Sequence, residues 1–125
     1  MAFRTTSFLI LLIIAPSQWV TAASGLPYPG KETVSGYLVD LVCVKEEASK
    51  VADFGPDHSK RCLQMPVCSR GGYAILLPSK EVLSLDDRSN ELARKLISNS
   101  HKEKGFVVKA TGIRQGSFFH VLRMD

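Results

Sequence analysis

GFVVKATGI at residues 105–113 and SFFHVLRM at residues 117–124, with Arg114-Gln115-Gly116 between them, decide the fold. Both runs are rich in β-branched and aromatic residues, and the short link carries a glycine. That pattern predicts a β-hairpin. At strand spacing, Phe106, Val108 and Ala110 share one face, and so do Phe119 and Val121, which marks them as core.

Reading back toward the N-terminus, Leu92, Ala93, Leu96 and Ile97 recur at helical spacing within residues 88–98. Glu91 stands four residues before Lys95, and Asp86 and Asp87 suit the positive end of that helix. Residues 81–85 read as a short strand. YAILL at 73–77 reads as another, opened by Gly71-Gly72 and closed by Pro78. TVSGYLVDLVC at 33–43 reads as a strand buried on most of both faces, with Asp40 the polar exception. As a bland role, Asp40 is a satisfied acceptor at a strand end. The order is strand, long connection, strand, strand, helix, strand, strand. It predicts a mainly β, α+β domain with one or two helices, an OB-like five-stranded Greek-key barrel.

The long connection, residues 44–71, sets this barrel apart. Short helices are expected at 45–52 and 57–63, the second entered by Pro56 and stopped by Pro66. Connections of this length are usually functional or held by cross-links.

The chain has 125 residues, enough for one domain, and its 45% apolar and 22% charged composition is that of a folded protein. Residues 1–23 have one cation, Arg4, then the apolar run FLILLIIA and small residues at 20–23, the three-part pattern of a cleaved secretory signal. The run is too short to span a bilayer. Residues 24–32 are read as a flexible leader and 33–125 as the barrel. The mature protein is expected to be secreted, extracellular and free of the membrane. No Asn-x-Ser/Thr sequon occurs. Losing Arg4 takes the formal charge from +4 to about +3. That mild excess favours an anionic matrix polymer or another secreted protein as partner. Phe118, Phe119, His120 and Arg123 resemble a nucleic-acid face in composition, but export excludes that use, and aromatics at strand spacing belong in a core.

Cys43, Cys62 and Cys68 are the residues with the most chemistry to offer. In an oxidising compartment the expectation is one disulfide among the three, with the odd thiol free or joining two chains. Three pairings exist, and spacing does not choose between them. A bridge from Cys43 into the connection would contribute roughly 3 kcal/mol. A sharper alternative adds His58, four residues before Cys62. Cys43, His58, Cys62 and Cys68 make a Cys3His set suited to zinc or monovalent copper. A catalytic thiol would need His58 or His120 as base, with Asp40 to orient it. Phosphate loops, zinc-protease, nucleophile-elbow and EF-hand motifs are absent.

Gly36, Asp40 and Cys43, then His58, Cys62, Cys68 and Gly71-Gly72, resemble the pattern of a group of small exported bacterial proteins. Their pattern is Gly-x-hydrophobic-x-Asp-x-x-Cys, a His and two Cys in the connection, glycines before the second strand and a terminal hairpin. In this chain the Cys43–His58 and Cys62–Cys68 intervals are longer. The resemblance implies the barrel and a role for Cys43, His58, Cys62 and Cys68. It implies no reaction. The expected function is a secreted, non-enzymatic binding or extracellular-matrix component without cofactor. The alternative is an extracellular metal-binding or thiol-redox protein.

Overall fold

The computed structural model describes residues 30–47 and 49–125, without the side chains of 51 and 52. The expected signal and most of the leader lie outside these residues. Within them the chain forms a closed barrel of five strands, β1 (Lys31–Asp40), β2 (Tyr73–Leu76), β3 (Val82–Leu85), β4 (Val107–Gln115) and β5 (Phe118–Met124). Around the barrel the order is β1-β2-β3-β5-β4, closing back on β1. Neighbours are antiparallel except β3 and β5, which run parallel through Ser84–Phe118 and Leu85–Phe119. This is the OB-like arrangement expected from the order of elements, and it leaves no free sheet edge.

Alternation puts the expected residues inside. Phe106, Val108, Ala110, Phe119 and Val121 are buried with Leu38, Tyr73, Ile75 and Leu83. Helix α5 (Asp87–Asn99) lies between β3 and β4 in sequence and packs Ala93 and Ile97 into the same core. Asp86 caps it by accepting from the Ser89 N–H at 2.9 Å. The polar Ser89 is buried because its hydroxyl in turn accepts from the Val121 N–H at 2.8 Å, tying the helix to β5. Glu91 pairs with Arg94, not with Lys95. Arg94 is held in place because its guanidinium also donates to Ser69.

The connection departs from expectation. In place of the two short helices expected at 45–52 and 57–63, its described residues form four: α1 (Leu41–Glu46), α2 (Val51–Phe54), α3 (Lys60–Gln64) and α4 (Pro66–Gly71), with a 3-10 turn at Gly55–Asp57. The first strand stops at Asp40, so Cys43 lies in a helix and not at a strand end. Its start at Lys31 takes two residues from the expected leader. Pro66 does follow the end of α3, yet it also opens α4, because a proline at the first helical position loses no intrahelical bond. No described helix is long and apolar enough to cross a membrane.

Candidate functional site

The site grows from the point where β1 turns into α1. Asp40 ends the strand with extended backbone and is fully buried. A buried carboxylate is costly unless every lone pair is used. Asp40 Oδ1 accepts from the Cys43 N–H at 2.8 Å, which caps α1. Oδ2 lies 2.7 Å from His58 Nε2. Asp40 is thus the cap acceptor expected at a strand end, and also the partner that orients a histidine.

His58 is only 6% exposed. It follows the 3-10 turn, and its carbonyl accepts from the Gly105 N–H at 3.1 Å. Gly105 has φ +66, and a Cβ there would come within 2.9 Å of the Pro56 carbonyl. Glycine alone therefore lets the segment before β4 run so close to the turn. The next link is Lys60 N–H to the Glu103 carbonyl at 2.7 Å. The Phe54 ring meets the imidazole edge-on, 5.1 Å between centroids. Backbone on one side and an aromatic on the other hold His58 against Asp40.

Cys43 comes to the site from α1 and Cys68 from α4, the former half-buried and the latter buried. One ligand atom each from Asp40, Cys43 and His58 lie within 4.8 Å of one another. Cys68 lies on the helix packed against α1, where a Cβ on Gly71 would come within 2.6 Å of Val42. Cys62, on α3, is half-buried. Ser59 caps α3 by accepting from the Cys62 N–H at 3.1 Å. Below α3, the buried Tyr73 hydroxyl donates to the Leu63 carbonyl at 2.7 Å, anchoring the helix on the barrel.

The electrostatics follow from this crowding. Burial alone would raise the Asp40 pKa. The bonds from His58 and Cys43 outweigh it and hold the carboxyl at about 2. The Cys43 thiol is pushed up to about 12, first by burial, then by hydrogen bonding to Asp40 and by its negative charge. Burial and the same carboxylate raise Cys68.

Of the sequence-derived Cys3His set, Cys43 and His58 come together with Asp40, while Cys62 and Cys68 stand outside that group. The expected disulfide is not formed. Cys43, Cys62 and Cys68 are all free in this structure. His120 takes no part in the cluster; its Nδ1 is paired with Asp86 on the α5 side. Phe54 and Tyr73 were not anticipated. Their apolar neighbours in sequence mark them only as core, and only the fold shows what they hold. Asp40 had a readable signal: one acid interrupting an apolar run is an N-cap in waiting. Comparison of the chain with protein-family models, curated proteins and solved structures finds no match.

Proposed function

We propose that this protein is a small exported, non-enzymatic metal-binding module, with Cys43, His58 and Cys68 as the central ligands and Cys62 as the fourth. Zinc or monovalent copper suits that donor set. The observation that carries the reading is the convergence of Cys43, His58 and Asp40 within 4.8 Å.

Three physical arguments support it. An ionised Asp40 carboxylate accepting from His58 Nε2–H would fix the ring and leave the lone pair on Nδ1, the role a carboxylate plays behind a metal-bound histidine. The same negative charge opposes free thiolates but favours a cation. A bound metal removes the thiol protons and reverses the local electrostatics. Thiols held protonated are poor nucleophiles, so the arrangement suits metal binding better than thiol catalysis. Such a centre would also join α1, the 3-10 turn and α4 at one point, which makes it a closed structural site rather than an open catalytic one. A matrix-binding role rests on charge alone, and no described surface adds to it.

The test is a titration of the reduced, metal-free protein with zinc, and separately with monovalent copper, against a chromophoric chelator without oxygen. One tightly held metal per chain is expected, lost in Cys43→Ser and Cys68→Ser variants that keep the far-UV spectrum of the parent. A folded, fully reduced protein that retains neither metal after desalting would overturn the reading.

A further inference from the structure

Tyr37 is the residue at which β1 changes partners. It is in register with Leu76 of β2 and with Val107 of β4. On its N-terminal side β1 continues beside β4 as far as Lys31, while β2 has ended and the chain turns through Leu77–Glu81 into β3. Gly36 lets the strands meet this closely before they part, since a Cβ there would collide with the Leu76 carbonyl oxygen. The parting leaves a cavity of about 330 Å³, the size of a small-molecule site. Its walls are largely apolar, formed by Tyr37, Leu76, Leu77, Pro78 and Val107. Val107 is 54% exposed, one of the few large apolar side chains left in water. The charged residue on this cavity is Lys80. Its φ of +72 makes it the single non-glycine residue in the left-handed region among the described residues. The turn is closed by the Lys80 N–H on the Leu77 carbonyl and by the Leu77 N–H on the Glu81 carbonyl, both at 2.9 Å. In a three-residue hairpin loop of this kind the last position takes glycine at no steric cost. Lysine strains the turn and adds nothing to it, so its side chain is explained by what it faces. The acid beside it, Glu81, is engaged by Arg114 at 2.8 Å.

We propose that the cavity between β1 and the β2–β3 turn binds a small amphipathic carboxylate, its aliphatic body on the Tyr37, Leu77 and Val107 walls and its carboxylate on the Lys80 ammonium. The chemistry of the lining sets the class of ligand. An apolar wall takes a hydrocarbon body, and one ammonium at its rim selects a single negative charge. A neutral body of the same length forgoes the ion pair, and a cation meets like charge. Ser35 adds a hydroxyl on the same cavity, suited to the second carboxylate oxygen. The strain at Lys80 is then a cost in stability accepted for a charge at this place. The site is separate from the metal reading, since its lining includes none of Asp40, Cys43 and His58.

The probe is octanoate, titrated below its micelle concentration into the reduced protein with a metal chelator present and followed by backbone amide shifts. Saturation at one octanoate per chain is expected, with the largest shifts at residues 35–37, 76–80 and 107. Octan-1-ol, of the same length without the charge, should bind about fivefold more weakly, the order of one solvent-exposed ion pair. Octylammonium should bind more weakly still. Lys80→Gly is the decisive variant. It relieves the backbone and should raise the urea midpoint, yet its affinity for octanoate should fall to that of octan-1-ol. A lysine with a merely structural role would not lose affinity while stability rises. Unchanged octanoate affinity in Lys80→Gly, equal binding of octanoate and octan-1-ol by the parent, or shifts centred on Met65, Val67 or Phe118 would each overturn the proposal. So would titration without saturation. A concentration-dependent dimer that produces the same shifts without ligand would overturn it too, because the cavity would then belong to a second copy of the chain.

Discussion

From β4 to β5 the chain obeys pairing rules. Each residue of β4 has a partner on β1 or β5, β5 departs from the ladder only at a bulge that skips Leu122, and alternate side chains enter a core that includes Val108, Ala110, Phe119 and Val121. Among the described residues from 41 to 71 there is no strand. Four helices of four to six residues follow one another, each far below the roughly 12 residues an isolated helix needs. Their order comes from a few polar contacts: Asp40 on Cys43 and His58, Ser59 on Cys62, Tyr73 on Leu63, Arg94 on Ser69. The barrel is stabilised by apolar area, and the connection by a small number of polar points. Losses in the first should be indifferent to metal, and losses in the second should depend on it.

The largest effect expected is in the barrel. Phe119 is fully buried among residues of four strands. Phe119→Ala removes that area and leaves a cavity, at a cost of about 4 kcal/mol. Urea unfolding of the reduced protein should give the same loss with zinc as with a chelator. A loss that zinc erases would break the comparison.

In the connection, His58→Ala leaves the Asp40 carboxylate buried without its partner, which should cost about 3 kcal/mol in the metal-free protein. Adding Asp40→Asn should recover part of the loss, since the orphaned charge goes with it. A double variant as unstable as the sum of the two singles would mean that the pair is not coupled as the 2.7 Å contact implies.

The same carboxylate gives the connection its own pH dependence. Asp40 titrates at about 2 in the folded protein against an ordinary 3.8. A depressed folded value means that the unfolded chain takes up the proton first as pH falls. The stability from Asp40, roughly 2 kcal/mol, is therefore complete above the ordinary carboxylate range and is lost as pH falls toward its folded value. Asp86 is also lowered, against the push of its burial, by bonds from Ser89 and His120, and adds a loss of the same sign on the barrel side. The difference between the parent and Asp40→Asn isolates the first. Unfolding curves measured across the acid range should converge for the two proteins at the lowest pH. Parallel curves would count against a buried, ionised Asp40.

How far the sequence carried the reading differs between the same two regions. The hairpin, helix α5 and the strand order were legible, because periods of two and of 3.6 are written directly in Phe106-x-Val108-x-Ala110 and in Leu92-Ala93-x-x-Leu96-Ile97. Residues 41–43 were read as the end of a strand because LVC continues the apolar run; the cap at Asp40 overrode propensity and started a helix there. Pro66 signals the end of one helix and the start of the next with the same residue, so α4 was invisible. Cys43, His58, Cys62 and Cys68 could be named as a set from residue type. Which of them stands beside Asp40 could not, because that depends on the turn from β1 into α1. A disulfide was the default for three cysteines in a chain expected to be exported; in this structure all three are free, and Cys43 stands beside a carboxylate and an imidazole.

The smallest effect makes the sharpest distinction. Ser59 and Asp86 do the same job, each accepting an N–H in the first turn of a helix, α3 in the connection and α5 against the barrel. Replacing either with alanine removes one capping bond, worth about 1 kcal/mol. Asp86→Ala also ends its contact with His120, yet α5 remains fixed by Ala93, Ile97 and the Ser89 bond to β5. Its loss should be the same with and without zinc. Ser59→Ala acts on a five-residue helix that carries Cys62, so in the metal-free protein it should loosen amide exchange through α3 as well as lower stability. With zinc held by Cys62 and its neighbours, the helix gains a second anchor, and the exchange difference should shrink. Equal sensitivity of the two caps to zinc, measured by hydrogen exchange at α3 and α5, would show that the connection does not depend on metal for its order.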